Sequence, residues 1–227
     1  MNIIFNRWLN AASLLFPIVV LGQSATNDST FDNQHYRDRL EFFEAMPNQK
    51  DEIVFLGNSI TEAGKWQEIS QLKQVVNRGI SGDVTYGILA RLDEVLDGDP
   101  NKLFLLCGVN DMKRGIAIEV ITANIERILL QVKKKSPHTK LYIQSILPVN
   151  EALLPASYSQ VRNAKIHLLN KALKRLCIKY RVRFVDLHPV LADSKGELKA
   201  QLTIDGLHLR QAAYLIWVDF LKQQKLL

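Results

Sequence analysis

Five short apolar runs, set apart by longer segments of helical period, constrain the fold of this chain more than any other feature. The runs are EIVFLG, KQVVN, KLFLLCG, KLYIQSIL and VRFVDL, each bounded by Asn, Gly, Pro or Asp. Between or after them come TYGILARLDEVL, IEVITANIERILLQVKKK, SQVRNAKIHLLNKALKRLCIKY and a last helical stretch, HLRQAAYLIWVDFLKQQ. Strand runs alternating with helices predict an α/β fold, in which a parallel sheet is covered on both faces. In such sheets ligands bind outside the carboxyl ends of the strands, where the strand order reverses. Chemistry is therefore expected in the segments that follow the apolar runs.

Four segments have that position: GNSIT after the first run, NRGISGD after the second, GVNDMKRG after the third, and TIDGLH before the last helix. Ser59 closes a strand and opens a helix, so it is either a helix cap or a nucleophile facing backbone N–H groups. His208 is either a residue that begins the last helix or a general base. Asp205, three residues before it, suits an aspartate that holds the imidazole tautomer, or else a turn with Gly206. Gly82 permits a backbone N–H to approach a developing oxyanion, and the Asn110 amide offers a second donor; the plain alternatives are a turn glycine and a turn asparagine. Four loops carrying complementary parts of one mechanism at one sheet edge point to acyl transfer.

At these blocks the chain resembles the SGNH hydrolases, also called GDSL-type esterases and lipases. GNSIT resembles the nucleophile block, NRGISGDVTYGILARL the glycine block, GVND the asparagine block and DGLH the aspartate–histidine block, over about residues 51–214. The resemblance implies a flavodoxin-like three-layer α/β/α sandwich with a five-stranded parallel sheet. It also implies Ser59, Asp205 and His208 as the catalytic residues, and an oxyanion hole made by Ser59, Gly82 and Asn110. The family's eponymous aspartate is Asn58 here, which leaves the triad untouched. Thr61 stands where the nucleophile elbow of an α/β-hydrolase has glycine, which argues against that other fold.

The resemblance implies an esterase, and since exported members of this family often remove acetyl groups from sugars while others cleave lipid esters or thioesters, a short acyl ester on a carbohydrate, such as an O-acetylated sugar or a sialic acid, is the expected substrate. A lysophospholipase or thioesterase acting on longer chains, and a catalytically silent carbohydrate-binding domain, are the alternatives. Arg78, Met112, Lys113 and Arg114 from two strand-end loops, and Asn150 with Leu153 and Leu154 from a third, are the candidate substrate contacts. Met112, Leu153, Leu154 and Tyr158 would line an acyl groove in the longer-chain reading. Arg78 has a plainer role as the partner of a carboxylate, Asp83 or another.

Residues 1–24 read as a signal peptide, with an apolar stretch AASLLFPIVVLG followed by small residues, and residues 25–227 as one hydrolase domain. A secreted or periplasmic enzyme without stable membrane insertion is expected. Cys107 and Cys177 sit among apolar neighbours and are expected to be unpaired. The net charge of +6 comes from lysine- and arginine-rich helix ends such as VKKKSPHTK, with no nucleic-acid motif beside it. The remaining histidines lack metal-ligand spacing, and neither a metal nor a cofactor is expected. His188, in VDLHPV at a strand end, is a further candidate for pocket lining.

Overall fold

The computed structural model describes residues 31–227, so the signal segment expected at 1–24 lies outside the described residues. Five strands, β1 (Ile53–Gly57), β2 (Val75–Gly79), β3 (Lys102–Leu106), β4 (Lys140–Gln144) and β5 (Arg183–Val185), form one sheet in the order β2-β1-β3-β4-β5. Every pairing is parallel. All five residues of β1 are buried, which is why the strand reads as an unbroken apolar run rather than an alternating one.

The helices are α1 (Gln34–Ala45), α2 (Ser59–Glu62), α3 (Trp66–Ser70), α4 (Thr85–Ala90), α5 (Leu92–Asp97), α6 (Val109–Lys113), α7 (Ile118–Lys135), α8 (Asn163–Tyr180), α9 (His188–Leu191) and α10 (Gln211–Gln223). They cover both faces of the sheet. One face carries an aromatic ladder set by register: Phe55 lies opposite Phe104, and Phe104 opposite Tyr142. Their rings stack at 5.0 and 4.6 Å. Trp66 of α3 stacks on Phe55 at 4.0 Å and meets Trp217 of α10 edge-on, so these two helices close that face. The alternate residues, Val54, Leu56, Leu103 and Leu105, belong to the same buried core. The amphipathic α7 joins that core with Ile121, Ile125, Ile128 and Leu129.

The chain leaves β1 toward β2 on one side and returns to β3 on the other. The order therefore reverses between β1 and β3, and a crevice opens at their carboxyl ends. The segments after β1, β2 and β3 all meet there.

Two expectations need correction. The single helix expected over TYGILARLDEVL is two helices broken at Arg91, whose backbone leaves the helical region. The break turns a fully buried Arg91 inward, where Nη2 donates to the Gly57 and Arg78 carbonyls at 3.1 and 3.0 Å. The last helix begins at Gln211, not at His208, because the preceding segment is extended and bridges Leu209 to Thr203. Cys107 and Cys177 are free and buried, as expected. No helix among the described residues is long and apolar enough to cross a membrane.

Candidate active site

Ser59 is the first residue of α2, and the cap is its neighbour: the Asn58 side chain accepts from the Ile60 N–H at 3.1 Å. The capping task is thereby filled, and the Ser59 hydroxyl is left for another partner. That partner is His208, whose Nε2 lies 3.1 Å from Ser59 Oγ. On the far side of the ring, His208 Nδ1 lies 2.7 Å from Asp205 Oδ2. With Nδ1 protonated, the ring donates to Asp205 and presents a lone pair to the serine hydroxyl.

The loop carrying Asp205 and His208 is held by its own hydrogen bonds. Asp205 Oδ1 accepts from the Leu207 and His208 N–H groups at 3.0 and 2.8 Å. Burial pushes the Asp205 carboxyl upward, but the hydrogen bonds from the His208 ring and these two amides prevail and hold it below the ordinary carboxylate range. Gly206 has φ +90°, and a Cβ there would stand 2.6 Å from the Asn150 carbonyl oxygen, so no other residue fits. Asn150 clamps the loop by donating its N–H to the Gly206 carbonyl at 2.8 Å and Nδ2 to the Leu198 carbonyl at 3.1 Å.

Gly82 stands third in a turn closed by the Asp83 N–H on the Ile80 carbonyl at 3.1 Å. Its φ of +82° is that of the glycine position in a type II turn, whose own N–H takes no part in the turn's hydrogen bond. Asn110 is not a turn residue but the second residue of α6, and it is buried. Its Nδ2 donates one hydrogen to the Asp83 carbonyl at 2.9 Å; a primary amide has a second. The Ser59 N–H, at the head of a helix, has no acceptor within α2. These three donors come from three strand ends.

A buried polar network that the sequence reading missed lies beneath them. Asp83 accepts from Arg91 Nε at 3.0 Å and is in ionic contact with Arg91 Nη2 at 2.9 Å, both side chains being inaccessible to solvent. Burial pushes the Asp83 carboxyl up, to about 6, against the opposing pull of the Arg91 guanidinium. Asp111 accepts from the Thr85 N–H at 3.1 Å and its hydroxyl at 2.5 Å, joining the start of α4 to α6. The Glu62 carboxylate accepts the Ser81 N–H, tying α2 to the Gly82 turn. In sequence these residues look like solvated helix charges, and only their place beside the strand-end motifs hinted otherwise.

The site opens on a cleft of about 370 Å³ lined by Ser59, Gly82, Asn110, Arg114 and His208, together with Ser81, Lys113, Ser157 and Tyr158. Of the seven candidate substrate contacts, Lys113 and Arg114 line it and Arg78, Met112, Asn150, Leu153 and Leu154 do not; Leu153 is exposed and Leu154 packs against the core. Arg78 is buried under Phe43, with Nε donating to Glu94 Oε1 at 2.8 Å, because its position on β2 turns the side chain away from the crevice. Met112 packs in the core. Asn150 is spent on the Asp205 loop. Arg114 does reach the cleft and donates from Nη2 to the Gly82 carbonyl at 3.1 Å.

His188 lines a separate cavity beside His167, their rings 4.7 Å apart. A larger cavity of about 580 Å³, between α1 and the edge strand β2, contains none of Ser59, Gly82, Asn110 or His208. Among the described residues no group of three or more His, Cys, Asp or Glu is arranged to hold a metal. The cleft thus combines a hydroxyl on an imidazole, a carboxylate behind it, and three N–H-bearing residues on its lining, a set suited to acyl transfer.

Residues 55–216 match the family described as GDSL-like Lipase/Acylhydrolase. The human platelet-activating factor acetylhydrolase IB subunit alpha1 is 26% identical over 211 residues, covering 90% of this chain and 85% of its own. A solved structure from Streptococcus pneumonia, described as a platelet activating factor, is 33% identical with a TM-score of 0.79 and covers 84% of this chain and 92% of that one. An acetylxylan esterase from Geobacillus stearothermophilus shares the fold at 17% identity and a TM-score of 0.62, covering 78% of this chain and 94% of that one.

Proposed function

The chain belongs to the GDSL-like lipase/acylhydrolase family of SGNH hydrolases and hydrolyses ester bonds, and from that premise we propose that it is a serine esterase removing short acyl groups, acetyl above all, from carbohydrate esters. The observation that carries this reading is the continuous hydrogen-bond chain from Asp205 through His208 to Ser59, opening on a small polar cleft.

Ser59 Oγ attacks the ester carbonyl carbon while His208 Nε2 takes its proton. The charge that develops on the carbonyl oxygen is met by the N–H groups of Ser59 and Gly82 and the free hydrogen of Asn110 Nδ2. Asp205 keeps Nδ1 protonated and stabilises the imidazolium. The bond between carbon and the alcohol oxygen breaks as His208 returns the proton to the departing alcohol. Water, deprotonated by His208, then attacks the acyl-serine and releases the acid, restoring Ser59. An export signal expected at residues 1–24 supports a reaction at the cell exterior or in the periplasm.

A second reading, an acetyl ester on a glycerophospholipid, draws on the names of the curated relatives. Both readings share the small acyl group and differ in the alcohol. A panel of esters from acetyl to decanoyl tests the acyl part. A compact cleft loses activity beyond butyryl. An apolar groove instead gains roughly 0.8 kcal/mol of burial per methylene that it accommodates. A steady rise of kcat/KM from acetyl to decanoyl contradicts the short-acyl reading.

A further inference from the structure

The charge lining of the cleft is one-sided. Among the described residues, Lys113 and Arg114 border it and no aspartate or glutamate does. Asp205 stands behind His208 with both oxygens engaged by the histidine and its loop. Lys113 is half-buried, and its Nζ sits 4.0 Å from the centre of the Tyr158 ring. It makes no ion pair among the described residues. An aromatic face positions an ammonium without neutralising it, so Lys113 keeps its charge available at a fixed place.

That place is set by the helix that also carries Asn110. Asn110 and Lys113 are three residues apart on α6, hence neighbours on one helix face at a spacing of roughly 5–6 Å. In the proposed mechanism the amide addresses the carbonyl oxygen of the ester, which leaves the ammonium for a second group of the same substrate. His208 leaves its proton on the alcohol oxygen, and His208 and Lys113 line the same cleft, so an alcohol part held there lies within the field of the ammonium.

We propose that the cleft selects esters whose alcohol part is an anion, with Lys113 as the residue that recognises the negative charge. The inference rests on the serine-esterase reading of the same site. A carboxylate of an acidic sugar and a phosphate of a glycerol ester offer the same chemistry to the ammonium, and the test separates them.

The measurement is kcat/KM for two matched pairs at low salt: O-acetylated methyl glucuronoside against O-acetylated methyl glucoside, and acetylglycerol phosphate against acetylglycerol. The wild type is expected to favour the charged member of at least one pair about tenfold, the size of one charge-assisted hydrogen bond. The pair that shows the preference identifies carboxylate or phosphate. The ratio falls toward one in 1 M sodium chloride, drops below one in Lys113→Glu, and survives in Lys113→Arg. Equal rates within both pairs, or a preference that persists in Lys113→Glu, overturn the inference while leaving the esterase reading intact. Absence of hydrolysis of all four esters, with Ser59 unreactive toward a fluorophosphonate, overturns the esterase reading and the inference with it.

Discussion

Ser59 Oγ and His208 Nε2 lie 3.1 Å apart although 149 residues separate them in the chain. The contact joins the end of β1 to the loop before α10, and the loop in turn is pinned by Asp205 and Asn150. Replacing the carboxylate by an amide permits the wrong imidazole tautomer. Asp205→Asn is therefore expected to lower kcat roughly 10⁴-fold. Its effect on stability carries a pH signature. The Asp205 carboxyl is held below its ordinary value, so its stabilising contribution is complete above the unfolded value near about 3.9 and fades as pH falls through the lower folded value. The gap in Tm between wild type and Asp205→Asn should narrow as the pH is taken from 6 toward 2. A gap that stays constant over that range contradicts the assignment.

In the proposed mechanism Asn110 adds a catalytic donor to a structural one, since Nδ2 already holds the Asp83 carbonyl. Asn110→Ala is expected to reduce kcat by roughly 10² to 10³ and to cost about 1 kcal/mol of stability for the lost bond. Thermal melts beside initial rates distinguish the two effects. An activity loss no greater than the unfolded fraction indicates a structural role alone.

The Asp83–Arg91 pair carries the floor of the site, tying the ends of β1 and β2 to the Gly82 turn. Asp83→Ala leaves a buried guanidinium without its counter-ion, and a loss of about 3–5 kcal/mol follows. Urea denaturation measures it. A cost under about 1 kcal/mol places the pair in contact with water and contradicts the buried network.

Much of this fold was legible in the chain. A strand buried on both faces must be apolar throughout, so EIVFLG and KLFLLCG announce themselves. Gly82 and the Asp205–His208 spacing are legible because a positive φ and a histidine orienter each demand particular residue types. Arg91 was not, because an arginine at helical period reads as solvent-facing until the helix is known to break there. Arg78 misled for a related reason: which way a strand residue points depends on register, and register turned it under Phe43 toward Glu94. The Lys113–Tyr158 contact joins distant stretches of the chain and exists only once α6 and the loop after β4 are folded together.

The central claim is that Ser59 is the nucleophile. The most direct measurement is stoichiometric labelling by a fluorophosphonate with the modified peptide identified by mass, run beside turnover of an acetyl ester in wild type and Ser59→Ala. The account predicts one label per chain, on Ser59, absent in the variant, and a fall in turnover of roughly 10⁴ to 10⁶. A label on another serine, or Ser59→Ala turning over at the wild-type rate, contradicts it.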